Sequence, residues 1–191
     1  MIRITLDLVR ERLGQRVPRR SPERASSIEA AVAVLLAPGA SGRLDLLLIK
    51  RAEHPGDPWS GQMALPGGRR DRADDDFLAT AIRETLEEVG VAVKPGWLVG
   101  ELDDLRPRTP TLPPVLVRPF VFGLPARPAV TLSPEATAHV WVGMEELASG
   151  VTRTEITITG RDATFTAYRV GDDILWGMTE RIIKSLIDLL L

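Results

Sequence analysis

The sequence predicts an α/β fold built as a three-layer α/β/α sandwich. Three observations carry that reading. Strand-like and helix-like segments are interleaved along the chain. Two of the strand segments, Ile28 to Leu36 and Leu44 to Arg51, are almost continuously apolar, as strands covered on both faces are. Residues Phe77 to Val89 carry the apolar spacing of an amphipathic helix.

The elements are expected in the following order. Ile2, Leu6, Val9 and Leu13 form a stripe at helical spacing, so the chain opens on a helix, with its seven arginines up to Arg24 read as a solvated face rather than a polyanion-binding arm. Pro18 to Ser27 is a connector. The first two strands flank a Pro-Gly-Ala-Ser-Gly turn, and a Pro/Gly loop from His54 to Gln62 leads to a short strand, Met63 to Leu65. Arg69 to Asp76 is too charged for the core. In the helix that follows, Leu78, Ile82 and Leu86 form the expected buried row, with Ala81, Thr85 and Val89 beside it, Asp74, Asp75 or Asp76 as the cap and Gly90 as the stop. Leu98 to Leu102, Val115 to Leu124, His139 to Val142 and Thr164 to Val170 are further strands. Glu145 to Ala148 is a short helix, and Trp176 to Leu191 a closing one.

A length of 191 residues suits one domain over 1–191, with 1–27 its helix and connector. The net charge of -2 argues against a nucleic-acid partner. No cysteine is present, which excludes disulfides, thiolate nucleophiles and cysteine-bound zinc. The longest apolar run, Ala30 to Ala37, is too short to span a membrane, and charges interrupt the N-terminus where a signal peptide needs an apolar core. A cytoplasmic protein is expected, as a monomer or homodimer.

The chemistry concentrates in Arg83-Glu84-Thr85-Leu86-Glu87-Glu88-Val89-Gly90-Val91. On a helix, positions 84, 87 and 88 share one face. Three carboxylates about 5–6 Å apart at Cβ repel one another, and a row of them beside the core calls for a cation. Oxygen-only ligands favour Mg²⁺ or Mn²⁺. Such an ion suits hydrolysis of a diphosphate, because it screens phosphate charge and acidifies water. Gly67 and Gly68 add a turn where backbone can approach a ligand closely.

Residues 67–91 resemble the Nudix box: a glycine, five residues, a glutamate, seven residues, then Arg-Glu-apolar-any-Glu-Glu-any-Gly-apolar. Residues 83–91 match closely, with Thr85 at the apolar position. Counted from Gly68 the arginine comes one residue late, and Asp74 or Asp75 stands for the isolated glutamate. The coenzyme A pyrophosphatase branch of the family shows the same lengthening. Leu47-Leu48-Ile49-Lys50-Arg51-Ala52, Gly61, Leu65-Pro66-Gly67-Gly68, Leu102-Asp103, Pro119-Phe120-Val121 and Ile174-Leu175-Trp176-Gly177-Met178-Thr179 are similar to that branch's other landmarks. Ile49 replaces its threonine, its second arginine is missing near Gly56, and the loop to Gly61 is one residue longer.

The resemblance implies a Nudix-type α/β/α sandwich with a mixed sheet and a metal-dependent pyrophosphohydrolase. Its most similar substrate class is coenzyme A or acyl-coenzyme A, cut to 3′,5′-ADP and (acyl-)4′-phosphopantetheine. ADP-ribose, another dinucleotide or a nucleoside triphosphate is the alternative, and a non-catalytic nucleotide-binding regulator is the rival from another class. Glu84, Glu87 and Glu88, with the Gly67 carbonyl, are the implied metal ligands. Arg83 orients a box carboxylate, and Glu84 is the favoured base, with Glu101, Asp103 and Glu135 as further candidates. Arg51, Gly68 and Trp59 are the candidate substrate contacts, Trp59 being preferred to Trp176 as a stacking surface. His54 reads as a solvated turn residue. No Gly-Lys-Ser/Thr phosphate loop and no Gly-x-Ser-x-Gly elbow competes.

Overall fold

The computed structural model describes residues 3–22, 28–39, 42–56, 59–106, 114–157 and 163–191. Ile2, residues 23–27 of the connector, Ala40, Ser41 and Pro58 lie outside the described residues. Helix α1 (Leu6–Gly14) starts at Thr5, whose hydroxyl accepts from Leu8 N. It buries Val9 and Leu13. Strands β1 (Ile28–Pro38), β2 (Leu44–Arg51), β3 (Met63–Ala64) and β4 (Gly67–Arg69) follow. Helix α2 (Phe77–Val89) comes next, then β5 (Leu98–Glu101), β6 (Val115–Gly123) and β7 (Ala136–Gly143). Helix α3 (Met144–Ser149), strands β8 (Arg153–Thr157), β9 (Thr164–Val170) and β10 (Asp173–Trp176), and helix α4 (Gly177–Leu190) complete the order.

The main sheet is mixed and runs β3-β2-β1-β6-β5, with β7 on β2 and β4 on β1. Strands β1 and β6 are parallel from Ile28↔Val115 to Leu36↔Gly123, and the other pairings in this sheet are antiparallel. Because side chains alternate along a strand, β1 feeds two cores. Ala31, Ala33 and Leu35 meet α2 with Leu47, Ile49, Phe120 and Phe122. Val34 and Leu36 face the opposite layer, which contains α1, α3, α4 and a second sheet, β10-β9-β8. The near-continuous apolar runs are thus strands covered on both faces, as expected.

Several details depart from the sequence reading. In α2 the row Leu78-Ile82-Leu86 is not the buried one: Leu86 is 51% exposed, while Phe77, Thr80, Ala81, Thr85, Glu88 and Val89 are buried. Small residues let the helix lie close on the sheet. The two threonines satisfy their hydroxyls locally, Thr85 on Ala81 O at 2.7 Å and Thr80 on Asp74 at 2.9 Å. Asp74, within the stretch expected to be too charged for the core, is buried, and Asp76 is the cap, accepting from Ala79 N at 2.7 Å. Gly90 ends the helix at φ 67°. The N-terminal arginines are not simply a solvated face. Arg16, Arg19 and Arg20 lie beyond α1 and bind Glu101, Asp103 and Asp104. Strands β4, β8 and β10 were not anticipated, and Trp176 belongs to β10 rather than to the closing helix.

The topology also builds a platform. Strand β1 pairs with β2 only from Leu36↔Leu46 to Pro38↔Leu44, and its earlier half pairs with β4 at Ala30↔Arg69, Ala31↔Gly68 and Val32↔Gly67. The glycine pair therefore enters the sheet beside β1, on the strand that leads into α2.

Candidate active site

Gly67 and Gly68 are required where they stand. Gly67 has φ 150°, and a Cβ there would overlap Ala31 O and the Val32 backbone. A Cβ on Gly68 would overlap the Glu84 carboxylate. Above them, α2 presents Glu84, Glu87 and Glu88 with different surroundings. Glu88 is 4% exposed and accepts from Gly67 N at 2.8 Å. Glu84 is half-buried and Glu87 exposed.

Arg83 holds this row from one side. Its Nε and Nη2 grip Asp74 at 2.9 and 2.8 Å, a bidentate pairing that fixes the guanidinium plane. Its Nη1 then donates to Glu84 at 2.8 Å and Glu87 at 2.9 Å, and Nη2 also reaches Arg69 O at 3.0 Å. The sequence reading held that the acidic row needs a bound cation to balance it; Arg83 supplies much of that balance from within the chain. It also draws Glu84 and Glu87 aside, and among the described residues no three His, Asp or Glu side chains form a coordination set.

Electrostatics single out Glu88. Burial pushes its carboxyl up from 4.5 to about 7, with Glu84 and Glu135 adding to the rise while the Gly67 N–H and Arg51 oppose it. Burial raises Glu84 too, against the pull of Arg83, and Glu87 and Glu135 add to the rise. Asp74 is driven the other way, well below the usual carboxylate range, chiefly by Arg83. Two desolvated carboxylates in one another's field, beside backbone that admits no side chain, fit a hard cation by donor chemistry.

Arg51 is half-buried at the end of β2, where the register with β7 shifts between Lys50↔Ala138 and Arg51↔Ala136. Such a shift re-aims a side chain, and Arg51 acts on Glu88. Trp59 is half-buried in the turn before β3, its carbonyl accepting from Gln62 N at 3.3 Å. Trp176 packs on Phe165 with ring centroids 6.0 Å apart. His54 is exposed.

The loop carboxylates separate cleanly. Glu101 is paired with Arg20. Asp103 is bound by Arg16 and Arg19. Burial alone would raise Asp103, but the Arg19 and Arg16 donors outweigh it and hold the group low. Glu135 instead lies on the approach to β7 and bears on both Glu84 and Glu88. Sequence spacing could not choose among the three, because the choice depends on which carboxylates the N-terminal arginines consume.

A glycine pair on a strand beneath a carboxylate helix, within an α/β/α sandwich, defines the class as that of the Nudix fold. The NUDIX domain family matches residues 28–164. The Nudix hydrolase NudL of Citrobacter koseri is 30% identical over 196 residues, covering 96% of this chain and 93% of that protein. A protein of Schizosaccharomyces pombe is 37% identical over 128 residues, covering 64% of this chain but only 39% of the yeast protein. Among solved structures, a MutT/nudix family protein from Enterococcus faecalis superposes with a TM-score of 0.61 at 23% identity, over 90% of this chain and 64% of that one. The NUDIX domain of Shewanella oneidensis NrtR, solved with ADP ribose, gives 0.54 at 19% identity, over 66% and 79%. The chain belongs to the Nudix family, and its enzyme class is that of the Nudix pyrophosphohydrolases. Among the described residues no helix is long and apolar enough to cross a membrane.

Proposed function

We propose that this protein hydrolyses the diphosphate of coenzyme A or acyl-coenzyme A in a Mg²⁺- or Mn²⁺-dependent reaction, releasing 3′,5′-ADP and (acyl-)4′-phosphopantetheine. The observation that carries the metal-dependent chemistry is the buried Glu88 with Glu84 beside it at the glycine pair. A bound divalent ion supplies charge neutralisation on the diphosphate and a more acidic water. Glu84, Glu87, Glu88 and the Gly67 carbonyl would hold it. Arg83 stays on Asp74 and orients the carboxylate row without touching substrate. Glu84 takes the proton of the attacking water, a role that needs about 2.6–3.2 Å between heavy atoms. Glu135 is the second choice, since its charge already bears on Glu84 and Glu88. Arg51 pairs its planar fork with a diphosphate oxygen, the Gly68 backbone approaches the phosphates, and Trp59 offers a face to the base. The setting is the cytoplasm, with the protein acting as a monomer or homodimer on a small molecule.

The choice of coenzyme A rests on the branch landmarks around Leu47 to Ala52 and Ile174 to Thr179. Ile49 and the missing arginine near Gly56 favour a second reading, in which ADP-ribose or another nucleoside diphosphate derivative is preferred. Retention of all three box carboxylates supports catalysis over a binding-only module. Mass spectrometry of products from coenzyme A, dephospho-coenzyme A, ADP-ribose, NADH and nucleoside triphosphates tests the assignment. Dephospho-coenzyme A lacks only the 3′-phosphate, so losing one charge-assisted contact of about 1.5–3 kcal/mol should lower kcat/KM on the order of tenfold or more. Equal efficiency on the two would remove the 3′-phosphate from recognition, and preference for ADP-ribose over both would move the substrate to the second reading.

A further inference from the structure

Beyond α1, residues 19–21 are bound to residues 102–104 by more than packing. Asp104, whose side chain is fully buried, gathers four donations: from Ser21 N at 2.9 Å, Arg20 at 3.2 Å, and both Nε and Nη2 of Arg118 at 2.9 and 3.1 Å. Asp104 N returns a bond to Arg19 O at 3.0 Å, and Arg20 also donates to Leu102 O at 3.0 Å. Residues 19–21 and 102–104 are thereby one unit, closed on Arg118.

Arg118 sits on β6 opposite Ala31 of β1, under the first turn of α2. Its guanidinium carbon lies 4.1 Å from the Phe77 ring centroid, and that of Arg70 lies 5.3 Å from the same ring. Phe77, the first residue of α2, is buried and held by two cations. Arg70 in turn bonds Glu29 at 3.1 Å and the carbonyls of Asp75 at 3.0 Å and Asp74 at 3.4 Å. Asp74 anchors Arg83, which orients Glu84 and Glu87. A continuous path of contacts therefore runs from the N-terminal arm to the carboxylate row.

We propose that Arg118 is a positioning residue for the metal-binding face of α2: fixed by Asp104 and the N-terminal arm, it sets the seat of Phe77 and so the height and rotation at which Glu84 and Glu88 stand over the glycine pair. A shift of α2 at its first residue would move the Phe77 ring off the guanidinium that Asp104 holds in place. Lysine at 118 would keep the charge but lose the fork and the flat face over the ring. The inference rests on the metal-dependent reading above.

The test is Mn²⁺ binding to the full chain, followed by loss of the free-ion paramagnetic signal, for wild type and Arg118→Lys, with thermal melting beside it. Outer contacts of a metal site are worth about 10–100-fold in affinity or activity. The expected result is Mn²⁺ binding weaker by about tenfold, a lower kcat on the best diphosphate of the substrate panel, and little change in KM. A lower Tm with unchanged Mn²⁺ affinity would mean a plain structural brace and overturn the proposal, as would wild-type behaviour. Failure of the wild type itself to bind Mn²⁺ would overturn the metal reading and this inference together. Should Arg118→Lys not fold, Arg20→Ala cuts the path at its exposed end: weakened Mn²⁺ binding supports the proposal, and unchanged binding overturns it.

Discussion

Replacing Glu88 by glutamine separates what burial costs from what an ion contributes. In the metal-free protein the Glu88 carboxyl is raised from 4.5 to about 7. A group raised on folding stabilises the protein fully below its unfolded value, and that stability is lost as pH climbs through the folded value. Wild type should therefore lose stability between about pH 4.5 and 7, and at pH 8 the charged form costs on the order of 3 kcal/mol. Glu88→Gln keeps an oxygen to accept from Gly67 N and removes the charge, so the metal-free variant should be the more stable one above pH 7. For a chain of this length that corresponds to a Tm higher by about 6–12 °C, shrinking to nothing near pH 4.5. Added Mg²⁺ should close most of that gap. It should stabilise wild type by roughly 2.7 kcal/mol at a hundred times its Kd and do little for the variant, whose turnover falls by orders of magnitude. The assay is a melting series with chelator or Mg²⁺ from pH 4.5 to 8.5, alongside turnover. A Tm difference that does not change with pH would refute the electrostatic argument; equal Mg²⁺ stabilisation and turnover in the two proteins would refute the metal role of Glu88.

Two further changes probe the same cluster. Glu84→Gln and Glu135→Gln should part company: if Glu84 is the base, its variant loses turnover while still binding Mn²⁺, and Glu135→Gln stays active. Abolished turnover in Glu135→Gln with unchanged metal affinity would move the base to the β7 approach. Gly68→Ala should displace the Glu84 carboxylate that its Cβ would overlap. It should leave a folded protein with kcat lowered on the order of 10²-fold, the cost of misplacing a reacting group by about 1 Å, and unaltered kinetics would show that the contact does not matter.

The layers were readable from the sequence because burial on both faces writes itself as unbroken apolar runs, as in Leu44 to Arg51. The carboxylate spacing of α2 and its Gly90 stop were equally legible. The buried face of α2 was legible only in part. Ala81, Thr80 and Thr85 carry little hydrophobic signal, yet they are fully buried, while the more apolar Leu86 lies outside. Strand β8 was hidden for a related reason: it alternates half-buried and exposed residues with few bulky apolar ones. The pairing of Asp104 with Arg20 and Arg118 joins residues far apart in sequence, and local periodicity carries no trace of it.

Pairings within the glycine strand, its loop and α2 explain why the three box carboxylates are not equivalent. Asp74 commits two of its contacts to Arg83, which leaves Nη1 to serve Glu84 and Glu87. Glu88 points instead to the glycine strand and takes a backbone N–H, in the field of Arg51. The repulsion expected of three neighbouring carboxylates is thus divided: two share a guanidinium, and the third carries the burial penalty. A helix arranged in this way can fold without an ion, because Arg83 balances its outer carboxylates. Its inner carboxylate is the one whose charge is costly, so the response of stability to pH and to added metal should be concentrated at Glu88 rather than spread evenly over the row.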